Sequence, residues 1–501
     1  MSSEAARPLT ALVLAAGLGK RMRSRTIKLL HPVWGRPMLA WVLDALGSLR
    51  PGGIVVVLGH QAERIREALG GLDFQEVVQE EQRGTGHAVL TARPLLEGRD
   101  GDLLILNGDL PLLTGRTLAE FVAAHAASGA ALSVLTTCPE RPEGYGRIVR
   151  EQEAVLRVVE EKDAGPAERA IREINCGVYL VAIATLLPLL DRLGTENAQG
   201  EYYLTDVIEM LVSSGREVRG VVHPDPREVL GVNDRRELAE AVGILGRRKR
   251  EQLLLEGVTL IDPERTYIDP RARIGRDTTI YPGVWIEGSC VIGEDCIIRP
   301  NVHLNEVRIG NRVEIRNHCV IQDSRIEDGA QVGPFAHLRP GTYLSQRVRV
   351  GNFVETKKAV FGPGSKANHL SYLGDAELGA NVNVGAGTIT CNYDGVKKHL
   401  TIMEDGVFIG SDTQLVAPVK VGAGAYVGAG STITEDVPPG ALGLSRAKQR
   451  NIDGWAARKR KAREKSKAAA AQKDSASGTP AGAEAAAGPR PAAQAPGEAE
   501  E

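Results

Sequence analysis

Val291-Ile292-Gly293-Glu294-Asp295-Cys296-Ile297-Ile298-Arg299-Pro300-Asn301-Val302-His303-Leu304 places an aliphatic residue at every sixth position: Ile292, Ile298, Leu304. The register runs back through Ile286, Ile280 and Ile274. Forward, after a one-residue slip, it continues at Ile309, Ile315 and Ile321, and after another at Ile326, Val332 and Leu338. A last register holds Ile409, Leu415, Val421, Val427 and Ile433. Small residues stand four places after many of these, at Thr278, Val284, Cys290, Cys296, Val302, Val313 and Cys319. A period of six is neither the 3.6 of a helix nor the 2 of a strand. It is one flat side of a triangular coil, in which three sides close a turn, turns stack, and the aliphatic stripe fills the interior.

This stretch resembles the hexapeptide repeats of left-handed parallel β-helices, an exception to the right-handed crossover preference. The glycine-rich (57 residues), aromatic-poor (4%) composition fits a fold of tight repeated turns filled by aliphatic side chains.

Upstream the pattern changes. From Leu9 to about Val232, short apolar runs such as Leu12-Val13-Leu14-Ala15, Ile54-Val55-Val56-Val57-Leu58 and Leu103-Leu104-Ile105-Leu106 alternate with amphipathic helical stretches. That alternation predicts a Rossmann-like α/β domain with a parallel sheet covered on both faces. Two runs lead into loops, Ala16-Gly17-Leu18-Gly19 and Asn107-Gly108-Asp109, at the strand ends where such sheets bind ligands. The predicted organisation is an α/β domain over 1–232, a charged linker helix over 233–257, a β-helix over 258–455 and a tail over 456–501. The tail opens with Arg458-Lys459-Arg460-Lys461 and continues Ala/Pro-rich, so it is expected to be disordered and solvated.

The formal charge of −2 over 501 residues argues against a nucleic-acid partner. No apolar run is long enough to span a bilayer and the first residues lack a signal-peptide core, which predicts a cytoplasmic protein without stable membrane association. The six cysteines contain no Cys-x-x-Cys pair and predict neither a zinc site nor a disulfide framework. Three of them, Cys290, Cys296 and Cys319, fall on inward positions of the coil.

The loop Leu14-Ala15-Ala16-Gly17-Leu18-Gly19-Lys20-Arg21-Met22 lacks both the dinucleotide fingerprint and the P-loop pattern. It resembles the signature loop of sugar-phosphate nucleotidyltransferases, in which backbone N–H groups approach a nucleotide and cations offset phosphate charge. Further blocks follow in order: Gln79-Glu80-Glu81-Gln82-Arg83-Gly84-Thr85-Gly86, Asn107-Gly108-Asp109-Leu110-Pro111, Gly144-Tyr145-Gly146-Arg147, Glu160-Glu161-Lys162-Asp163, Glu173-Ile174-Asn175 and Gly231-Val232-Asn233. Between about 339 and 409 the hexapeptide rhythm is interrupted by chemically capable residues. They include Arg339, Asn352-Phe353-Val354-Glu355-Thr356-Lys357, Asn368-His369-Leu370-Ser371-Tyr372, Asn383 and Asn392-Tyr393. A histidine beside a tyrosine, with Lys, Arg and Asn nearby, is a constellation for which a purely structural coil has no use.

Together these motifs resemble the bifunctional bacterial N-acetylglucosamine-1-phosphate uridyltransferase/glucosamine-1-phosphate acetyltransferase family over about residues 9–455. The resemblance implies a UTP site at Leu14, Ala15, Ala16, Gly17, Asn107 and Gly108, with Gln79, Gly84 and Thr85 on uracil and the catalytic cations Arg21 and Lys28 on phosphate. It implies that Gly146, Glu160 and Asn175 hold the sugar and that Asp109 and Asn233 ligate Mg²⁺, a hard ion suited to carboxylate and amide oxygens. In the coil it implies His369 as general base, with Tyr372 beside it. Arg339, Lys357, Tyr372 and Asn383 would take glucosamine 1-phosphate; Asn392, Tyr393, Ser411, Ala429 and Arg446 would take acetyl-CoA. A homotrimer is expected, with acetyl sites shared between chains. Two residues depart from the family pattern: Ile27 precedes Lys28 in place of proline, and Lys20 follows Gly19 in place of threonine. The alternative reading is a single-activity sugar-1-phosphate nucleotidyltransferase with a structural or regulatory coil.

Overall fold

The computed structural model of the protein describes residues 7–17 and 19–476. They form two compact units, the first ending at Ser445 and the second beginning at Arg446.

The first unit opens with a nine-stranded sheet. Its strands are β1 (Leu9–Ala15), β2 (Gly53–Leu58), β3 (Gln75–Val78), β4 (Asp102–Asn107), β5 (Leu132–Thr137), β6 (Arg147–Glu151), β7 (Ala154–Val159), β8 (Ile174–Ala182) and β9 (Val218–Val222). Their spatial order is β3-β2-β1-β4-β8-β5-β9-β7-β6. The first four are mutually parallel, and β1 shows why such strands read as continuous apolar runs. Ala11, Val13 and Ala15 enter one core with Leu43 and Leu46; Leu12 enters the other with Val89 and Leu186.

The wholly parallel sheet expected from sequence is corrected at β8, which runs antiparallel to both β4 and β5. The chain reaches it through the antiparallel β6–β7 hairpin, not through a crossover helix, and a hairpin reverses direction.

The helix Arg235–Leu255 belongs to both halves of this unit. Its N-cap is Asp234, whose carboxylate accepts from the N–H groups of Arg236 (2.8 Å) and Glu237 (3.0 Å), while Glu237 reaches back to the Asp234 N–H. Leu238, Ala241 and Leu245 pack into the sheet's core; Leu253 packs into the core of the coil. The Trp34 indole N–H donates to the Val242 carbonyl at 2.9 Å, and Arg271 of the coil donates to the Trp34 carbonyl at 3.3 Å.

From Thr259 to Gly443 the chain winds as a parallel β-helix. Each short strand pairs with the one a full coil later, as in Trp285↔His303↔Val320↔His337↔Glu355↔Tyr372↔Ile389. The slips read in sequence are coils shortened by one residue: 18 separate Trp285 from His303, and 17 separate His303 from Val320. The whole aliphatic stripe is buried, with Cys290, Cys296 and Cys319 inside it.

The interruption expected between 339 and 409 is not a break in the coil. The strands Arg349–Phe361 and Lys366–Leu378 carry the stacking through it. The six-residue rhythm persists as Leu344, Val350, Thr356, Phe361, Ala367, Leu373, Leu378, Val384 and Thr390, all buried. It escapes an aliphatic search because Thr, Phe and Ala take interior places. The threonines satisfy their hydroxyls inside, Thr356 with Thr342 at 2.9 Å and Thr390 donating to the Gly374 carbonyl at 2.9 Å. Only the segment between Cys391 and Thr401 leaves the coil, so that Ile389 stacks under Gln414, 25 residues on.

In the second unit a helix spans Trp455–Ala476, where sequence composition predicts disorder. Its Ala, Lys, Arg and Glu content has high intrinsic helix propensity, which composition-based reading of disorder overlooks. The expectation for 477–501 lies outside the described residues. No helix among the described residues is long and apolar enough to cross a membrane.

Candidate active sites

At the carboxyl ends of β1 and β4 lies a cavity of about 530 Å³, lined by Leu14, Ala15, Ala16, Gly17, Lys28, Gln79, Gln82, Gly84, Thr85, Asn107, Asp109 and Glu201. A second, of about 260 Å³, adjoins it and is lined by Arg21, Tyr145, Gly146, Glu160, Asn175, Asn233 and Glu237, among others. Leu14, Thr85, Asn107 and Asp109 line both. Two compartments meeting at a carboxylate suit a reaction that joins two ligands.

Hydrogen bonds fix the walls. Gln79, nearly buried, turns its amide N–H to the Gly84 carbonyl (3.3 Å) and the His87 ring (2.9 Å). Gln82 donates to the Ala16 carbonyl at 2.8 Å and so braces the loop after β1. Thr85 Oγ1 accepts from the Leu204 N–H at 3.1 Å. Gly108, absent from both linings, donates its N–H to the Leu14 carbonyl at 2.9 Å, tying the two loops together. Asn175 donates to the Tyr179 hydroxyl at 2.6 Å, and Glu160 accepts from Thr205 at 3.2 Å. Burial raises the Glu160 carboxyl above its ordinary range; burial, with Glu237 and Asp109 nearby, pushes the Tyr145 phenol up to about 12.

At the junction, Asp109 and Asn233 converge on one cation. Lys28 Nζ pairs with the Asp109 carboxylate and donates to Asn233 Oδ1 at 2.8 Å, and Arg21 reaches the same oxygen at 2.9 Å. Asn233 is oriented by donating its own amide N–H to the Gly231 carbonyl at 3.0 Å. Gly231 leaves the Asp109 carboxylate its place: a Cβ there would stand 2.9 Å from Asp109 Oδ1 and push the carboxylate aside. A carboxylate and an amide oxygen facing one positive centre form a donor pair that fits Mg²⁺, with room in the cavities for phosphate and water to complete an octahedron. Among the described residues no cluster of three or more His, Cys, Asp or Glu side chains forms a softer metal site. Of the two departures from the family pattern, Ile27 packs against the core beside Lys28, and the Lys20 side chain lies outside the described residues.

The second group of residues sits on the outside of the coil. His369 is exposed and its Nδ1 is 3.0 Å from Asn352 Oδ1, its neighbour in strand register. Tyr372 stacks beside Glu355, which accepts from Arg339 at 2.8 Å. Gly374 leaves room for the Tyr372 hydroxyl, which would lie 2.4 Å from a Cβ at that position, and for the Asn392 amide at 2.8 Å. Lys357 is held below the ordinary lysine range by the neighbouring Lys398 ammonium, and Arg339 adds to the effect. Three cations therefore converge beside Tyr372.

Asn383 belongs to another flat side, stacked between Lys366 and Phe408, and His369 stands near the edge joining the two sides. Ser411 lies beneath Gly385, and Ala429 beneath Gly410, farther along the axis. Tyr393 projects on the excursion after Cys391 and is 60% exposed; Arg446 is the first residue of the second unit. One chain thus assembles Arg339, Lys357, Tyr372 and Asn392, while Asn383, Ser411 and Ala429 are displaced from them.

Sequence reading missed Gln82, Tyr145, Glu237 and Lys398 as wall residues. Gln82 and Tyr145 lie inside motifs that carry the resemblance. Lys398 has no local signal, because only the excursion folding back brings it to Lys357.

A nucleotide-sized cavity at the strand ends, joined to a hexapeptide coil with its own polar cluster, defines a two-site transferase. Family models agree on both halves: a MobA-like NTP transferase domain matches residues 11–213, a GMPPB C-terminal domain 263–368, and bacterial transferase hexapeptide repeats 401–435. Proteins named "Bifunctional protein GlmU" match nearly end to end. That of Trichlorobacter lovleyi is 51% identical over 452 residues, covering 90% of this chain and 98% of the relative. That of Pelobacter propionicus is 51% identical over 455 residues, covering 90% and 99%. That of Geobacillus sp. is 50% identical over 449 residues, covering 89% and 97%. The chain belongs to this bifunctional family. It is an enzyme with uridylyltransferase and acetyltransferase activities for UDP-N-acetylglucosamine synthesis, and the single-activity alternative falls away.

Proposed function

We propose that the coil transfers acetyl from acetyl-CoA to glucosamine 1-phosphate, and that the sheet domain then transfers uridylyl from UTP to the resulting N-acetylglucosamine 1-phosphate, releasing pyrophosphate. The observation carrying this reading is the pair of adjoining cavities meeting at Asp109. The larger suits UTP, with the loop 14–17 against phosphates and Gln79, Gly84 and Thr85 against the base. The smaller suits the sugar, with Gly146, Glu160 and Asn175 around it. The sugar phosphate oxygen attacks the α-phosphorus; Lys28 and Arg21 stabilise the charge that develops, and no protein nucleophile is needed. Asp109 and Asn233 would hold Mg²⁺, which when bound neutralises triphosphate charge.

In the coil, Arg339 and Lys357 bind the sugar phosphate. His369 takes the proton from the amine as it attacks the thioester carbonyl, and Asn352 fixes the imidazole. Ser411 and Ala429 hold acetyl-CoA. The displacement of Asn383, Ser411 and Ala429 from Tyr372 supports a site completed by a second chain, hence a homotrimer. An apolar ridge near His369 supports the same reading: Phe335, Phe353 and Leu370 are 48%, 57% and 63% exposed, and Phe335 stacks on Phe353 at 5.4 Å. All three have positive φ, a costly conformation for bulky residues. The protein acts in the cytoplasm, where its nucleotide and thioester substrates are made.

The test supplies glucosamine 1-phosphate, acetyl-CoA, UTP and Mg²⁺ and follows free CoA thiol and pyrophosphate separately. Release of both, with Asp109→Ala losing only pyrophosphate when given N-acetylglucosamine 1-phosphate, is the expected result. Pyrophosphate without CoA would overturn the assignment of the coil.

A further inference from the structure

Arg248 lies on the helix Arg235–Leu255, outside both cavities. Its guanidinium bridges the two segments that carry the metal-ligand pair, at the point where Glu228 also meets Thr114. Nη1 donates to the Leu112 carbonyl at 2.7 Å, three residues after Asp109. Nη2 donates to Glu228 Oε2 at 3.2 Å, five residues before Asn233. The other oxygen of Glu228 accepts from the Thr114 N–H at 3.2 Å and the Thr114 hydroxyl at 2.8 Å, so the loop after Asp109 is held twice. At their other ends the same two loops meet where the Val232 N–H donates to the Asp109 carbonyl at 2.9 Å and Gly231 lies against the Asp109 carboxylate. The helix bearing Arg248 itself starts one residue after Asn233, at the Asp234 cap.

The result is a closed frame. Asp109 and Asn233 sit at one corner; at the opposite corner the planar fork of Arg248, matched to a carbonyl and a carboxylate at once, holds Glu228 against Thr114 and Leu112. We propose that Arg248 is a positioning residue of the uridylyl site, setting the separation of the Asp109 and Asn233 oxygens. The inference rests on the reading of that pair as the Mg²⁺ ligands. Groups that orient metal ligands from behind change metal affinity roughly 10–100-fold when removed, whereas a contact that merely supports the fold changes stability alone.

The experiment uses the full chain with Arg248→Ala, Arg248→Lys and Asp109→Ala. Mn²⁺ affinity is titrated by electron paramagnetic resonance with saturating UTP and no sugar phosphate, alongside the Mg²⁺ dependence of pyrophosphate release. Arg248→Ala is expected to weaken Mn²⁺ binding and raise the half-saturating Mg²⁺ about 10-fold or more. CoA release should be unchanged, and lysine should recover part of the loss by reaching one of the two acceptors. If Arg248→Ala folds poorly, the lysine variant carries the same measurement. Unchanged Mn²⁺ affinity in both Arg248 variants, with affinity lost in Asp109→Ala, overturns the positioning role. Unchanged affinity in Asp109→Ala as well overturns the metal pair itself.

Discussion

Asn233 Oδ1 accepts a hydrogen bond from Lys28 Nζ at 2.8 Å, joining two segments 205 positions apart. The same ammonium pairs with Asp109, and side-chain exposures of 11% and 19% leave the Lys28–Asp109 pair little access to water. A cation so placed acts at full strength on phosphate charge, because the surrounding medium screens it weakly. Lys28→Ala is therefore expected to lower the rate of pyrophosphate release about 100-fold or more, the range for losing one preorganised charge-stabilising donor. CoA release should not change. A loss of less than twofold would remove Lys28 from the catalytic set.

The acetyl site makes a separate prediction. Asn352 Oδ1, 3.0 Å from His369 Nδ1, can accept only from the tautomer protonated at that nitrogen, the one that leaves the Nε2 lone pair for the substrate amine. His369→Ala should cut CoA release by about 10²–10⁴, the usual contribution of a positioned base, while pyrophosphate release from supplied N-acetylglucosamine 1-phosphate persists. Asn352→Ala should cost less, since it frees the ring without removing it. Steady-state assays of both products decide the order; equal losses in both activities would argue for general unfolding instead.

How much of this could be read beforehand follows from the range of the interactions. The Ile292–Ile298–Leu304 period is written locally, residue by residue, so the coil was legible. The same period through Thr356, Phe361, Ala367 and Thr390 was not, because Thr356 satisfies its hydroxyl with Thr342 on the neighbouring coil, a partner that no six-residue pattern announces. Likewise the motif residues around Asp109 were visible as short blocks. The convergence of Lys398 on Lys357 and the antiparallel direction of β8 depend on how the chain returns, and no local pattern encodes that.

Glu160 yields a pH-dependent prediction with opposite effects on stability and activity. Its carboxyl is raised by burial, so the folded protein holds this proton to higher pH than the unfolded chain does. Between the unfolded value near 4.3 and the raised folded value the native state binds more protons, and stability falls as pH rises. Glu160→Gln removes this penalty. The variant should melt above wild type at neutral pH, and the difference should shrink as pH falls toward 4.3. If the ionised carboxylate accepts a sugar hydroxyl, the same variant should raise the KM for N-acetylglucosamine 1-phosphate about 10-fold, as for a lost hydrogen bond to a charged group. Thermal melts at several pH values test the first half; a variant that melts at or below wild type at neutral pH refutes it.

Cys290, Cys296 and Cys319 report on the coil without lining either cavity. Cys138 is exposed and Cys391 half-buried, whereas Cys290, Cys296 and Cys319 lie inside the stack. Burial pushes the Cys290 and Cys319 thiols up to about 11. At pH 8 a group of that pKa is ionised to about one part in a thousand, and the thiolate is the reactive form. Iodoacetamide should therefore label Cys138 first and Cys391 next, with the three interior cysteines protected by both ionisation and access. Peptide mass spectrometry across a urea titration then distinguishes two ways of coming apart. Coils bound only to their neighbours can fray from an end, so Cys290, Cys296 and Cys319 would label in sequence. A coil that unfolds as one body would expose all three at one urea concentration. Labelling of Cys290 in the native protein as fast as Cys138 would contradict the interior placement that the six-residue period implies.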